Sequence, residues 1–123
     1  MQLVRATDGD TVDRSDLDIF EGGSVWGRAL ATVGENVKDM TVSMVHFAAG
    51  ARTRPHRHSG DQVLYVTSGI GRVGAGSEEH TVASGDCVVI PAGELHWHGA
   101  GDTGSPMSHI QVQPAGSQTT VEG

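Results

Sequence analysis

Four side chains in this sequence, His56, His58, Gln62 and His96, have the types and spacing of ligands to one divalent ion. In an extended segment residues two apart project to the same side, so both imidazoles of His56-Arg57-His58 can converge on one point. Pro55 favours extended backbone at Arg54, just before the pair. Gln62 follows across a short Ser-Gly-Asp turn and opens the next strand. Much further on, Pro91-Ala-Gly-Glu-Leu-His96 supplies a turn that would swing a fourth ligand toward the others. Three neutral imidazoles and one amide oxygen suit a borderline divalent ion. An HxH pair alone is more often a solvated surface feature. The joint spacing with Gln62 and His96 carries the expectation.

Proton transfer at such an ion needs a base, and an amide has no basic oxygen to offer. His98 lies two residues beyond His96, on the same side if that stretch stays extended. His109 sits in Met107-Ser-His-Ile-Gln-Val-Gln113, where Met107, His109, Gln111 and Gln113 share one face. Ser108, Ile110 and Val112 share the other. The alternation leaves open whether the polar face is the solvated outside or the lining of a working site, since His and Gln inside a barrel are costly unless hydrated or used. A neutral histidine near a dication can act as a general base close to neutral pH. His109 is placed first for that role and His98 second. His46 is left open by its strand, and His80 reads as a surface residue.

Other motifs carry less. Gly69-Ile-Gly-Arg-Val-Gly74 matches a dinucleotide fingerprint, but a second turn follows it rather than a helix, so it reads as hairpin glycines. Cys87, the single cysteine, lies in the apolar run Cys87-Val-Val-Ile90 and reads as a small buried residue. No intrachain disulfide is possible. Trp26, Tyr65 and Trp97 read as packing residues.

The elements that must position these residues are short strands. Val25–Val33, Met40–Phe47, Gln62–Thr67, Ile70–Gly74, Glu79–Val82, Asp86–Ile90 and Met107–Gln113 all have strand composition. Ser68-Gly69 reads as a turn between two of them. Eighteen glycines and four prolines punctuate the chain, and no stretch shows sustained helical periodicity. Many short strands at near-regular spacing predict an all-β, closed barrel or jelly roll. Residues 1–22 read as an acidic arm or edge strand and residues 114–123 as a loose, flexible tail, with residues 1–123 a single domain.

The two ligand blocks resemble the paired motifs of the cupins. Gly50, His56, His58, Gln62 and Gly69 match G-x5-H-x-H-x3,4-E-x6-G, with Gln62 where the motif has glutamate. Gly85, Pro91, Gly93 and His96 match G-x5-P-x-G-x2-H-x3-N, with Ala100 in place of asparagine. The resemblance implies a double-stranded β-helix, the cupin jelly-roll barrel. It also turns the polar face of the Met107–Gln113 strand inward. Replacing an anionic ligand by Gln62 leaves the ion its full double charge, which strengthens it as a Lewis acid.

A narrower likeness runs through Pro91-Ala-Gly-Glu-Leu-His-Trp-His-Gly-Ala100 and Met107-Ser-His-Ile110. These segments are similar to a subgroup of small bacterial cupins, some associated with carboxymuconolactone decarboxylases, that includes manganese-dependent hydroxynitrile lyases. That similarity implies a lyase splitting hydroxynitriles into a carbonyl compound and cyanide. The implied cofactor is one divalent ion, manganese first, with iron, zinc or nickel as alternatives. Rival readings are a dioxygenase or oxidase of a phenol or enediol, a sugar-acid isomerase or ring-opening enzyme, and a non-catalytic metal or small-ligand binding module.

Charge narrows the partners. The formal charge is −7, and six of the fifteen acids fall between Asp8 and Glu21. A nucleic acid partner is not expected, because phosphate binding needs clustered Lys and Arg. The one lysine, Lys38, has no neighbours that suggest a Schiff base. The N-terminal residues lack the apolar core of a signal peptide, and no run is long enough to span a membrane. The expectation is a cytoplasmic protein acting on a small molecule, paired as a homodimer or higher homo-oligomer.

Overall fold

A computed structural model describes residues 1–122. Among these residues twelve strands follow one another, with a single short 3-10 turn at Gly101–Thr103. They are β1 (Val12–Asp13), β2 (Phe20–Glu21), β3 (Val25–Ala31), β4 (Met40–Phe47), β5 (Arg52–Thr53) and β6 (His56–His58), then β7 (Gln62–Ala75), β8 (Glu78–Ala83), β9 (Cys87–Ile90), β10 (Trp97–Gly99), β11 (Met107–Pro114) and β12 (Thr119–Val121). Nearly all pairings are antiparallel, as glycine-rich turns between short strands lead one to expect. The curled sheet runs β1-β3-β4-β11-β7-β10-β5-β2, with β8 and β9 also on β7. This is the jelly-roll barrel expected from the sequence. No helix among the described residues is long and apolar enough to cross a membrane.

β7 closes the barrel by serving both of its faces. Its first part, Gln62–Tyr65, pairs with β9, and Ile70–Ala75 pairs with β8. The sequence reads Ser68-Gly69 as a turn, but the strand passes straight through. A register shift against β11 between Ser108 and His109 marks a bulge there. Gly69 takes φ +78°, and a Cβ on it would run into the carbonyl of Pro106. The glycine lets the strand bend across from one sheet to the other rather than reverse.

The core gathers inward-facing residues of both sheets: Val25, Phe47, Val66, Val73, Val82 and Met107, with Ala51 and Ala100 filling the close approaches. Phe47 meets Phe20 edge-on, ring centroids 6.0 Å apart. The aromatic expectation holds only in part: Trp97 sits beneath the Arg52 guanidinium at 4.2 Å, whereas Trp26 and Tyr65 are exposed. Cys87 corrects another expectation. β9 alternates, so Val88 and Ile90 turn inward while Cys87 and Val89 face solvent.

Short strands extend into both terminal segments of the described residues. β1 pairs with β3 and β2 with β5, so part of the acidic N-terminal segment forms edge strands. Part of the loose tail read over residues 114–123 is instead a strand. β12 pairs with β6, matching Thr119 to His58 and Val121 to His56. Its polar, turn-rich lead-in hides a short strand whose partner is more than sixty residues away in sequence, beyond the reach of local patterning. Residue 123 lies outside the described residues.

Candidate metal centre

The metal expectation needs His56, His58, Gln62 and His96 to meet. His56 and His58 share one face of the three-residue strand β6, and both are buried. An isolated bridge joins His56 to His96: each backbone N–H donates to the other's carbonyl at 2.9 Å. That bridge folds the downstream block back onto the HxH strand. One imidazole nitrogen from each of the three histidines lies within 4.8 Å of the others. Gln62, the first residue of β7, is 1% exposed and places Oε1 3.1 Å from His96 Nε2.

Hydrogen bonds behind the rings decide which nitrogen faces inward. His56 Nδ1 donates to the Arg54 carbonyl at 2.8 Å, and His96 Nδ1 donates to the Glu94 carbonyl at 2.9 Å. His58 Nδ1 meets Thr119 Oγ1 at 2.8 Å. A ring whose Nδ1 carries the proton presents a bare lone pair at Nε2. Gln62 is oriented in the same way. Its amide nitrogen donates to Gln111 Oε1 at 2.8 Å, and Gln111 in turn donates to Ser43 Oγ at 2.8 Å. The Gln62 oxygen is thereby turned toward the histidines.

Two observations test whether these residues fit a cation. His58 Nε2 is buried with no hydrogen-bond partner. His96 Nε2 and Gln62 Oε1, both acceptors in this bonding pattern, face one another at 3.1 Å. Buried acceptors converging without a donor are costly. A divalent ion that takes neutral nitrogen and oxygen ligands satisfies them together. Burial lowers the pKa of all three histidines, that of His56 to about 4, and the neighbouring imidazoles add to the lowering at His56 and His58. The lowering favours the neutral imidazole that a metal ligand must be.

Beside the centre lies a second pair. His98 Nδ1 and His109 Nε2 are 3.0 Å apart, and both residues are buried. The His98 ring centroid is 5.5 Å from that of His56 and 5.7 Å from that of His96. His109 stands behind it against Phe47, with centroids 5.4 Å apart. Of this pair, the structure thus brings His98 nearer the candidate ligands, with His109 as its partner. Burial, first, then the charge of the neighbouring imidazoles lowers the His98 pKa well below its usual value; burial brings His109 to about 4. Thr53, 1% exposed, accepts the His98 backbone N–H at 3.0 Å and so fixes β10 beside β5.

The inward reading of the β11 face is the one the structure adopts: Met107 and His109 are buried, and Gln111 reaches Gln62. His46 lies away from the centre, bonded to Ser108 Oγ at 2.7 Å, and His80 is exposed beside Glu78. Sequence reasoning missed Thr53 and Thr119. Nothing local marks either one, because each acts on a histidine in a different strand. Next to the centre a cavity of about 430 Å³ is lined by Val73, Val82, Val88 and Ile90 and by the polar Glu78, His80, Asp86, Glu94 and His96.

Comparison with known proteins agrees with this architecture. The cupin domain family matches residues 43–112, a span that contains all four candidate ligands and both members of the His98–His109 pair. A cupin-like protein from Thermotoga maritima superposes with a TM-score of 0.80 at 31% identity, covering 98% of this chain and 87% of that one. The chain is 44% identical to an (R)-mandelonitrile lyase of Granulicella tundricola over 72 residues, 56% of this chain and 53% of that protein. It is 36% identical to the pectin degradation protein KdgF of Dickeya dadantii over 59 residues, 47% of this chain and 54% of that protein. The chain thus spans about half the length of the curated relatives it matches. Its barrel, its paired motifs and a domain match over more than half its length agree: the chain belongs to the cupin family.

Proposed function

We propose that this chain is a metal-dependent lyase that splits α-hydroxynitriles into a carbonyl compound and cyanide. His56, His58, Gln62 and His96 hold the divalent ion, manganese first among the candidates, and His98 is the base with His109 behind it. The observation that carries the reading is the juxtaposition of an all-neutral ligand set with a buried pair of neutral histidines 3.0 Å apart. The similarity to an (R)-mandelonitrile lyase supports it.

A divalent ion bound there supplies Lewis-acid stabilisation of the negative charge that gathers on the substrate as the bond breaks. The chain's own residues do the rest. His98 Nδ1 is engaged by His109, which leaves Nε2 as the free nitrogen. His98 takes the substrate's hydroxyl proton there, and the oxygen's electron pair forms the carbonyl. The C–C bond breaks, its electrons leave with cyanide, and cyanide takes the proton from His98 to depart as hydrogen cyanide. His109 Nε2 accepts from His98 Nδ1–H and so steadies the transient imidazolium. The apolar wall of the adjoining cavity suits the hydrocarbon substituent of the substrate.

The similarity to the pectin degradation protein favours a second reading, ring opening or isomerisation of a sugar acid. Beyond the ion itself, a carboxylate substrate gains from a cationic side chain in the pocket. Among the described residues, the buried polar set is Thr53, His56, His58, Gln62, His96, His98 and His109, with no Arg or Lys. The adjoining cavity is lined by Glu78, Asp86 and Glu94 and by no Arg or Lys, so a neutral substrate fits it better. An oxygenase that uses a ligand carboxylate as base is disfavoured by the amide of Gln62.

The test is cyanide release from mandelonitrile by protein with a measured metal content, under air and under argon. Equal release in both atmospheres is expected. No release from any aryl hydroxynitrile at full metal loading would remove the proposal, and turnover that requires oxygen would replace it with an oxidase.

A further inference from the structure

We infer that Thr119 is a positioning residue for His58, and that docking of the C-terminal strand and binding of the ion strengthen one another. The inference rests on the metal reading above.

The argument begins with an asymmetry among the three histidines. His56 and His96 each find an acceptor for Nδ1–H two residues earlier in their own segment, at the carbonyls of Arg54 and Glu94. For His58 the corresponding residue is His56, whose carbonyl already accepts the backbone N–H of His96 at 2.9 Å. His58 therefore takes its acceptor from elsewhere in the chain. Thr119 lies directly opposite it in the β6–β12 ladder, so both side chains project from the same face, and Oγ1 sits 2.8 Å from Nδ1. With Oγ1 accepting, the His58 proton stays on Nδ1 and the bare lone pair stays on Nε2, the buried atom that has no partner within the protein.

The strand carrying Thr119 also completes β6. β6 pairs with no strand of the large sheet. One edge is held by the bridge to His96. The other edge is covered by β12, with Ser59 N–H donating to the Gln118 carbonyl and Glu122 N–H to the Pro55 carbonyl, both at 2.9 Å. Ser59 Oγ accepts the Gln118 N–H at 2.8 Å. The HxH strand is thus clamped between a fellow ligand and the end of the chain. If β12 raises the affinity for the ion, the ion must raise the stability of docked β12 by the same factor.

Calorimetric titration with Mn2+ of the full chain and of Thr119→Val and Thr119→Ser tests this, alongside amide hydrogen exchange of the segment 119–121 with and without Mn2+. Thr119 is exposed, so valine is tolerated, and thermal unfolding without metal checks that the variants fold. The expected result is affinity about tenfold weaker for Thr119→Val and within about twofold of wild type for Thr119→Ser. Mn2+ is expected to slow exchange of the segment in the wild type, and to slow it less in Thr119→Val. Equal affinity of wild type and Thr119→Val overturns the inference alone. So does Thr119→Ser as weak as Thr119→Val, or exchange indifferent to Mn2+. Wild type that binds no divalent ion overturns the metal reading itself and this inference with it.

Discussion

The side chains that touch the proposed ion and those that aim them have separable effects. Replacing His98 by alanine removes the proposed base but none of the four proposed ligands. It is expected to lower kcat about 10²- to 10⁴-fold with metal content unchanged, a comparison that needs one preparation assayed for both. Gln111→Leu acts differently. It deletes the acceptor that holds the Gln62 amide nitrogen, so the Gln62 oxygen is free to turn away. Mn2+ affinity is expected to fall about tenfold, read by calorimetry. The convergence of the four proposed ligands was legible in the sequence, since period-two geometry and a Pro/Gly turn bring those donors together. Their order of importance behind the ligands was not. Sequence places His109 ahead of His98, whereas the ring positions put His98 beside the ligands and His109 behind it. That depth depends on how two distant strands cross, which alternation along one strand does not encode.

Among the elements, β7 and β12 set the outcome. β7 spans both sheets only because Gly69 tolerates φ +78° and leaves room for the Pro106 carbonyl. Gly69→Ala is expected to destabilise the fold by about 2 kcal/mol or more, measured by urea denaturation of the metal-free protein. Phe47, 1% exposed and packed on both Phe20 and His109, is expected to cost about 3–5 kcal/mol on truncation to alanine. Most strands were legible from composition, Met40–Phe47 to the residue. The glycine at 69 looked like a reversal because a turn and a bulge use the same residue type, and only the partners of the flanking segments tell them apart. β12 escaped notice for a related reason. Three residues carry too little pattern, and its reason for existing is the edge of β6.

On the scale of the whole molecule, a barrel lined with histidines makes stability depend on pH. His56 and His109 titrate near pKa 4 in the folded chain, against 6.5 when unfolded. Between those values the unfolded chain binds more protons than the folded one, so stability rises with pH across the window. The metal-free protein is expected to lose thermal stability steadily as pH falls from about 6.5 toward 4, and to show little pH dependence of that origin above the window. A flat melting temperature across it would contradict the burial of these rings as neutral groups. The outer face is also informative: Tyr65, Val89 and Trp26 are exposed large hydrophobic residues. A homodimer, expected from the sequence, would cover part of this surface, and sedimentation analysis at micromolar concentration reads it directly.

Anomalous diffraction at the manganese edge, from crystals of protein loaded with Mn2+, tests the central claim most directly. The account predicts one strong peak per chain, bonded to Nε2 of His56, His58 and His96 and to Oε1 of Gln62. A peak elsewhere, or none between those four atoms at full loading, would contradict it.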